Sequence, residues 1–286
     1  MSSMEKVNKE TSVEGSPLAL ARDMKQLINN KEFSDVKFLV GPEKVIFRGH
    51  KCILAARCHV FKAMFKESLS NEEPYVLADM TPDLFMSILQ FIYTNTCKIN
   101  SQNVMNVLSA SMEYGMDQLV KICEKYIGES VTIETACDAM QAAVTFGLDN
   151  FKRMLLPFFE QHTAEIFQTK GFNELSDTTL AYIMQSDELN MDEYELLKAI
   201  KSWAVVNSVA LGRPLCEVAR TVVCNLRLPL LSPEELGQLE TENVKEHFIS
   251  VEQISMAWKH HALKTPMNST LDTTPRKGTR SRQRDR

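Results

Sequence analysis

No stretch of this 286-residue chain approaches the ~18 consecutive apolar residues of a membrane-crossing helix. Met1 to Ser16 is polar and has no apolar core of the kind a secretion signal needs, so neither membrane insertion nor export by that route is expected. Glycine and proline are scarce at ten each, well under the ~12% that the pair averages, and so few turn formers disfavour an all-β sandwich. The seven cysteines (Cys52, Cys58, Cys97, Cys123, Cys137, Cys216, Cys224) are odd in number, widely spaced and without a C-x-x-C. That usage fits a reducing compartment, cytoplasmic or nuclear, rather than a disulfide framework. Also missing are G-x-G-x-x-G, a Walker loop, G-x-S-x-G, H-E-x-x-H and an EF-hand loop, the common nucleotide, hydrolase and metal signatures. No catalytic residues, no metal and no cofactor are therefore assigned, and the chain reads as a non-enzyme.

With 44% hydrophobic and 24% charged residues the body has the composition of a folded protein. Its length corresponds to about two domains. The net charge of -5 is unevenly distributed. Arg276 to Arg286 holds six basic residues and one acid, which leaves 26 basic and 36 acidic residues elsewhere. An acidic body argues against a broad nucleic-acid-binding face.

Apolar spacing locates the elements. Leu18, Leu20, Met24, Leu27 and Ile28 recur at helical intervals after Ser16-Pro17, a cap and a first-turn proline. Val36, Phe38 and Val40 alternate, Gly41-Pro42-Glu43-Lys44 turns the chain, and Val45-Ile46-Phe47 returns as a hairpin. A short helical run from Ile53 to Ala56 leads into Val60, Phe61, Met64 and Phe65, and Tyr75-Val76-Leu77 reads as another strand. Thr81-Pro82-Asp83 opens a helix through Leu84, Phe85, Ile88, Leu89, Ile92 and Tyr93. Two further helices are expected to close at Gly115 and Gly128. Beyond Gly128 strand signals almost vanish. Helices are expected from Ala136 to Phe146, after Asp149 as a cap, after Ser176, after Asp192, and after the capping box Ser232-Pro233-Glu234-Glu235, with Pro157 kinking or breaking the second of these. Past about His261 the periodicity stops, so a disordered tail is expected.

Several residues invite chemistry. Cys52 and Cys58 flank a helix start beside Lys51 and Arg57, where a thiolate would be stabilised, although small buried hydrophobes are the commoner role of such cysteines. His260 and His261 are adjacent but lack ligand-spaced neighbours and read as the frayed end of the last helix. Asp35 and Lys51 could meet near the open end of the hairpin, or stand apart as surface charges. The basic tail reads as a nuclear-import signal, a weak nucleic-acid contact or a solubilising segment.

Phe33-Ser34-Asp35-Val36, His50-Lys51-Cys52-Ile53-Leu54-Ala55-Ala56, Phe61-Lys62-Ala63-Met64-Phe65 and Phe91-Ile92-Tyr93-Thr94 resemble, in order and spacing, the BTB/POZ domain. Phe172-Asn173-Glu174-Leu175-Ser176, Ser186-Asp187-Glu188-Leu189-Asn190, Ala199-Ile200-Lys201-Ser202-Trp203 and Arg227-Leu228-Pro229-Leu230-Leu231-Ser232-Pro233 resemble the BACK domain. The pair resembles the N-terminal half of kelch-like proteins, and the reading expects no kelch propeller here. The resemblance implies an α+β architecture, a BTB/POZ fold of helices with a small mixed sheet followed by an all-α BACK domain. The expected bounds are a disordered N-terminus over 1–17, BTB/POZ over 18–127, BACK over 128–262 and a disordered basic tail over 263–286.

The same resemblance implies a homodimer or heterodimer through the BTB domain, with Leu18, Leu20, Met24, Leu27, Ile28, Asp35, Lys51, Ile53 and Ala56 at the interface. It also implies an adaptor that places an unidentified protein substrate on a cullin-3 ubiquitin ligase, with Phe61, Phe65, Leu69, Asn71 and Tyr93 as cullin contacts. Two departures stand out. Asn71 occupies the position of the family's acid, where an amide can still accept a hydrogen bond but forfeits the charge-assisted strengthening of about 1 kcal/mol. Asn95 replaces a glycine, a milder change because asparagine tolerates left-handed dihedrals. A ligase-independent scaffold or nuclear regulator is the alternative to the adaptor.

Overall fold

The computed structural model describes residues 15–67, 74–263 and 272–281. The chain divides into two compact units, Met1–Lys125 and Tyr126–Arg286.

The first unit opens with α1 (Pro17–Lys25), which Pro17 starts at its first turn. The helix stops short of Ile28, and Leu27 and Ile28 continue in turns. β1 (Val36–Val40) and β2 (Val45–Gly49) form the expected hairpin, paired from Val36 opposite Gly49 to Val40 opposite Val45. Its turn uses Gly41 at φ +74° and Lys44 at φ +53°. Val36, Phe38 and Val40 are buried while Lys37 is exposed, as a period of two requires. α2 (Lys51–Arg57) and α3 (His59–Glu67) follow. β3 (Tyr75–Leu77) then pairs with β1 in parallel, Phe38 opposite Tyr75, to give a mixed sheet in the order β2-β1-β3.

α4 (Pro82–Thr94) is capped as its sequence predicts, with Thr81 Oγ1 accepting from the Leu84 N–H at 3.4 Å. It ends on Asn95 at φ +56°, the left-handed residue that the side chain tolerates. α5 (Val104–Glu113) closes before Gly115. α6 (Asp117–Ser130) runs through Gly128 instead of stopping there. A Cβ on Gly128 would lie 2.3 Å from Met154 Sδ, so this glycine makes room for a neighbour rather than ending a helix. Phe38 centres the core of the unit, its ring 5.6 Å from Phe61 and 5.1 Å from Phe85, with Phe47 meeting Phe85 edge-on.

The second unit is helical: α7 (Ala136–Thr145), α8 (Asp149–Gln161), α9 (Thr163–Ile166), α10 (Lys170–Asn173), α11 (Asp177–Met184), α12 (Glu193–Leu211), α13 (Leu215–Val223), a 3-10 turn (Leu228–Leu230), α14 (Pro233–Glu246) and α15 (Val251–Leu263). Ser176 and Asp192 cap α11 and α12, and Ser232 with Glu235 forms the reciprocal box at α14. Asp149 is the first residue of α8 rather than its cap, and pairs with Lys152 at 2.7 Å. Pro157 does not break α8, because buried Leu155 and Phe159 on either side anchor the helix against the ~3 kcal/mol an interior proline costs. Trp203 is buried with its indole N–H on the Leu175 carbonyl at 3.0 Å.

Part of the expected tail falls within the described residues. Residues 272–281, placed by composition in a disordered segment, pack into the second unit, where Arg276 is buried. Composition registers the scarcity of apolar residues but not that an arginine can be sequestered by acceptors supplied elsewhere. The remaining residues of the expected tail, and Met1 to Glu14 of the expected disordered N-terminus, lie outside the described residues.

Candidate functional site

α1 packs on α4, yet no residue of α1 is buried. Met24, Leu27 and Ile28 are half-buried within their own unit, whereas Leu18 and Leu20 are 75% and 64% exposed. Phe33, just beyond, is 83% exposed and held at φ +57°, a conformation that a bulky residue adopts only under constraint. Asn29 ties the segment down by accepting the Arg48 N–H of edge strand β2 at 2.9 Å. The α1 segment thus shows apolar side chains to solvent along one stretch of the first unit.

Asp35 and Lys51 do meet, but through the main chain: Asp35 Oδ1 accepts the Lys51 backbone N–H at 2.7 Å. That N–H opens α2, so the carboxylate caps the helix from the start of β1 and complements its dipole. The Lys51 ammonium lies 5.8 Å from the Phe65 ring centroid. Behind them Tyr93 is buried, its hydroxyl accepting the His50 N–H at 2.9 Å and sharing a 2.9 Å bond with His50 Nδ1. Burial pushes Tyr93 up to about 12, against the lowering effect of the His50 N–H. His50 Nε2 reaches the Glu32 carbonyl at 3.2 Å, so one imidazole joins the α1–β1 linker, α2 and α4.

Of the residues expected to contact a cullin, Phe61, Phe65 and Tyr93 fall within the described residues. Phe61 and Tyr93 are interior, Phe61 among Phe38, Phe85 and Tyr114 and Tyr93 beneath His50. Phe65 is half-exposed, while Leu69 and Asn71 lie outside the described residues. Of the interface set, Ile53 is half-buried and Ala56 exposed on α2. Sequence reasoning missed Arg57, whose Nη2 donates to Asn95 Oδ1 at 2.6 Å and whose Nε donates to the Ile92 carbonyl at 3.3 Å, closing the C-terminus of α4. An arginine beside a helix whose last turn lacks a cation was the only available signal.

The second unit carries a cleft of about 690 Å3 beside Trp203, edged by Glu174, Asp177, Arg213, Glu217 and Arg220, and a second of about 410 Å3 between α12 and α14. In the first, the Thr221 hydroxyl donates to Asp177 Oδ2 at 3.0 Å. Among the described residues no group of three or more metal-ligating side chains occurs, and no helix is long and apolar enough to cross a membrane. Cys58 and Cys137 are buried with their thiols pushed up, Cys137 to about 11, chiefly by burial, and Cys52 is exposed.

Comparison with known proteins places these features. The BTB/POZ domain family model matches residues 24–131, and the "BTB And C-terminal Kelch" model matches residues 136–240. BTB/POZ domain-containing protein 19 of Bos taurus is 40% identical over 92% of this chain and 94% of its own length. The Homo sapiens protein of the same name is 38% identical over 88% and 87%. Kelch-like protein 6 of Homo sapiens is 27% identical over 77% of this chain but only 35% of its own length.

Proposed function

This chain belongs to the BTB/POZ family with a following BACK domain, and from that membership we propose that it acts as a non-enzymatic dimeric adaptor, joining protein partners through its first unit. The observation that supports this most is the exposure of Leu18 and Leu20 on α1 together with Phe33 beside it. Withdrawing either leucine fully from water is worth about 1.5–3 kcal/mol, and a short helix with no buried residue gains that only against a second body. The interface reading takes in α1, Asp35 and Lys51 at the start of α2, and Ile53 and Ala56 on it. Self-pairing and pairing with another BTB chain would use the same stripe.

The finer reading is an adaptor that links a protein substrate to a cullin-3 ubiquitin ligase, working in the cytoplasm or nucleus. Its contacts would be Phe65, Leu69 and Asn71, with Phe61 and Tyr93 supporting them from inside. Titration of the chain against the N-terminal domain of cullin-3 tests it. Micromolar binding that tightens in Asn71→Glu supports the adaptor, and no binding at tens of micromolar removes it. In the latter case the alternative, a ligase-independent scaffold, stands. An amide in place of an acid at Asn71 favours that alternative.

A further inference from the structure

The docked C-terminal segment is held by a built site. Arg276 is 2% exposed, and its side chain, like that of Glu193, is fully withdrawn from solvent. The guanidinium spends its donors on four acceptors: Glu193 Oε2, the Ser186 carbonyl at 3.1 Å, the Met184 carbonyl and the Asn225 carbonyl at 2.8 Å. A planar fork satisfies this set and an ammonium cannot. Glu193 is itself positioned, its other oxygen accepting the Arg227 N–H at 2.6 Å. Arg227, buried in turn, reaches the segment through Asp272 at 3.2 Å and the Thr274 carbonyl at 2.7 Å.

The main chain is read as well. The Lys277 N–H donates to the Asp187 carbonyl at 2.9 Å, the Gly278 N–H to the Leu189 carbonyl at 3.0 Å, and the Arg280 N–H to Asp192 Oδ2 at 2.9 Å. At Gly278 the two backbones touch, since an added Cβ would fall 2.1 Å from the Met191 nitrogen and 2.6 Å from the Asn190 carbonyl carbon. The site therefore selects an arginine, ignores the exposed Lys277 side chain, and demands glycine two residues on. Asp187, Asp192 and Glu193 give it the negative charge that complements a basic peptide.

We propose that the helical unit is a receptor for an extended Arg-x-Gly peptide, that residues 272–281 are its resident ligand, and that the socket takes the same motif from a partner protein when the tail is displaced. The inference stands apart from the dimer and ligase readings and does not need either. Because the tail is tethered, a partner peptide competes against an effective concentration on the order of millimolar.

The test uses the wild-type full chain. Hydrogen exchange followed by mass spectrometry reports the amides of Lys277 and Gly278, and an isotopically heavy peptide of residues 272–281 is added at about 5 mM, above that effective concentration. These amides should be protected in the chain alone, and the peptide should speed their exchange severalfold by displacement. The peptide carrying Arg276→Lys or Gly278→Ala should have little effect. In parallel, the full-length Arg276→Ala chain should bind labelled peptide at least tenfold more tightly than the wild type does. Unprotected amides in the wild-type chain overturn the proposal. So do exchange that the peptide leaves unchanged and equal action by the Gly278→Ala peptide. The exchange arm needs no variant to fold, so it decides the matter even if Arg276→Ala does not fold.

Discussion

Individual side chains in this protein are governed by whether a partner waits for them inside. Four cysteines have their thiols pushed up by burial, Cys58, Cys97, Cys123 and Cys137, with Cys123 reaching about 12. In the unfolded chain these thiols ionise near 9.0, so the stability they confer is complete below that pH and is lost as pH rises toward 12. Thermal melts should therefore show the melting temperature falling from pH 9 to 11, with a shallower fall in Cys123→Ala; identical slopes would contradict the assignment. At pH 8 a thiol reagent should modify exposed Cys52, Cys216 and Cys224 first. Asp35→Ala should cost about 1 kcal/mol in urea unfolding through the lost cap on α2. The sequence left open whether Asp35 and Lys51 meet, and the form of their contact was not legible in it. The carboxylate answers a main-chain donor, and no spacing rule distinguishes that from an ion pair. For Phe61 and Tyr93 the residue types were legible and their burial was not, because a core and a docking surface both use aromatics.

At the scale of elements, local chemistry was the most readable. Thr81, Ser176, Asp192 and Ser232 all cap the helices their sequences announce. Ser232→Ala should accordingly destabilise the chain by about 1 kcal/mol, measured by denaturant titration at constant m value, and a change below about 0.3 kcal/mol would show that the box is dispensable. What stayed hidden depends on distant partners. The strand at Tyr75 was legible, but its parallel pairing with β1 was not, because nothing local records which edge it joins. Gly128 and Pro157 look like breakers, yet both sit inside helices, one making room for Met154 and the other held by Leu155 and Phe159. The docked segment at Arg276 was hidden for the same reason, since its acceptors come from Met184, Ser186, Glu193 and Asn225.

At the scale of the whole molecule, the change from mixed strands and helices to helices alone was visible in the periodicity, and the division into two units follows it. The basic run beginning at Arg276 is not uniformly available, because its first arginine is buried and Arg280 is joined to Asp192 through its main chain. Truncation after Leu271 tests whether the run directs nuclear import, and an unchanged distribution in cells removes that role. Whether α1 clasps a second body is answered by light scattering of the full chain at low micromolar concentration. Twice the 32.5 kDa of one chain is expected, falling to a single chain in Leu18→Asp with Leu20→Asp while the circular dichroism spectrum is preserved. A wild-type chain that scatters as one copy, or a double variant that keeps the doubled mass, would contradict the proposed clasp.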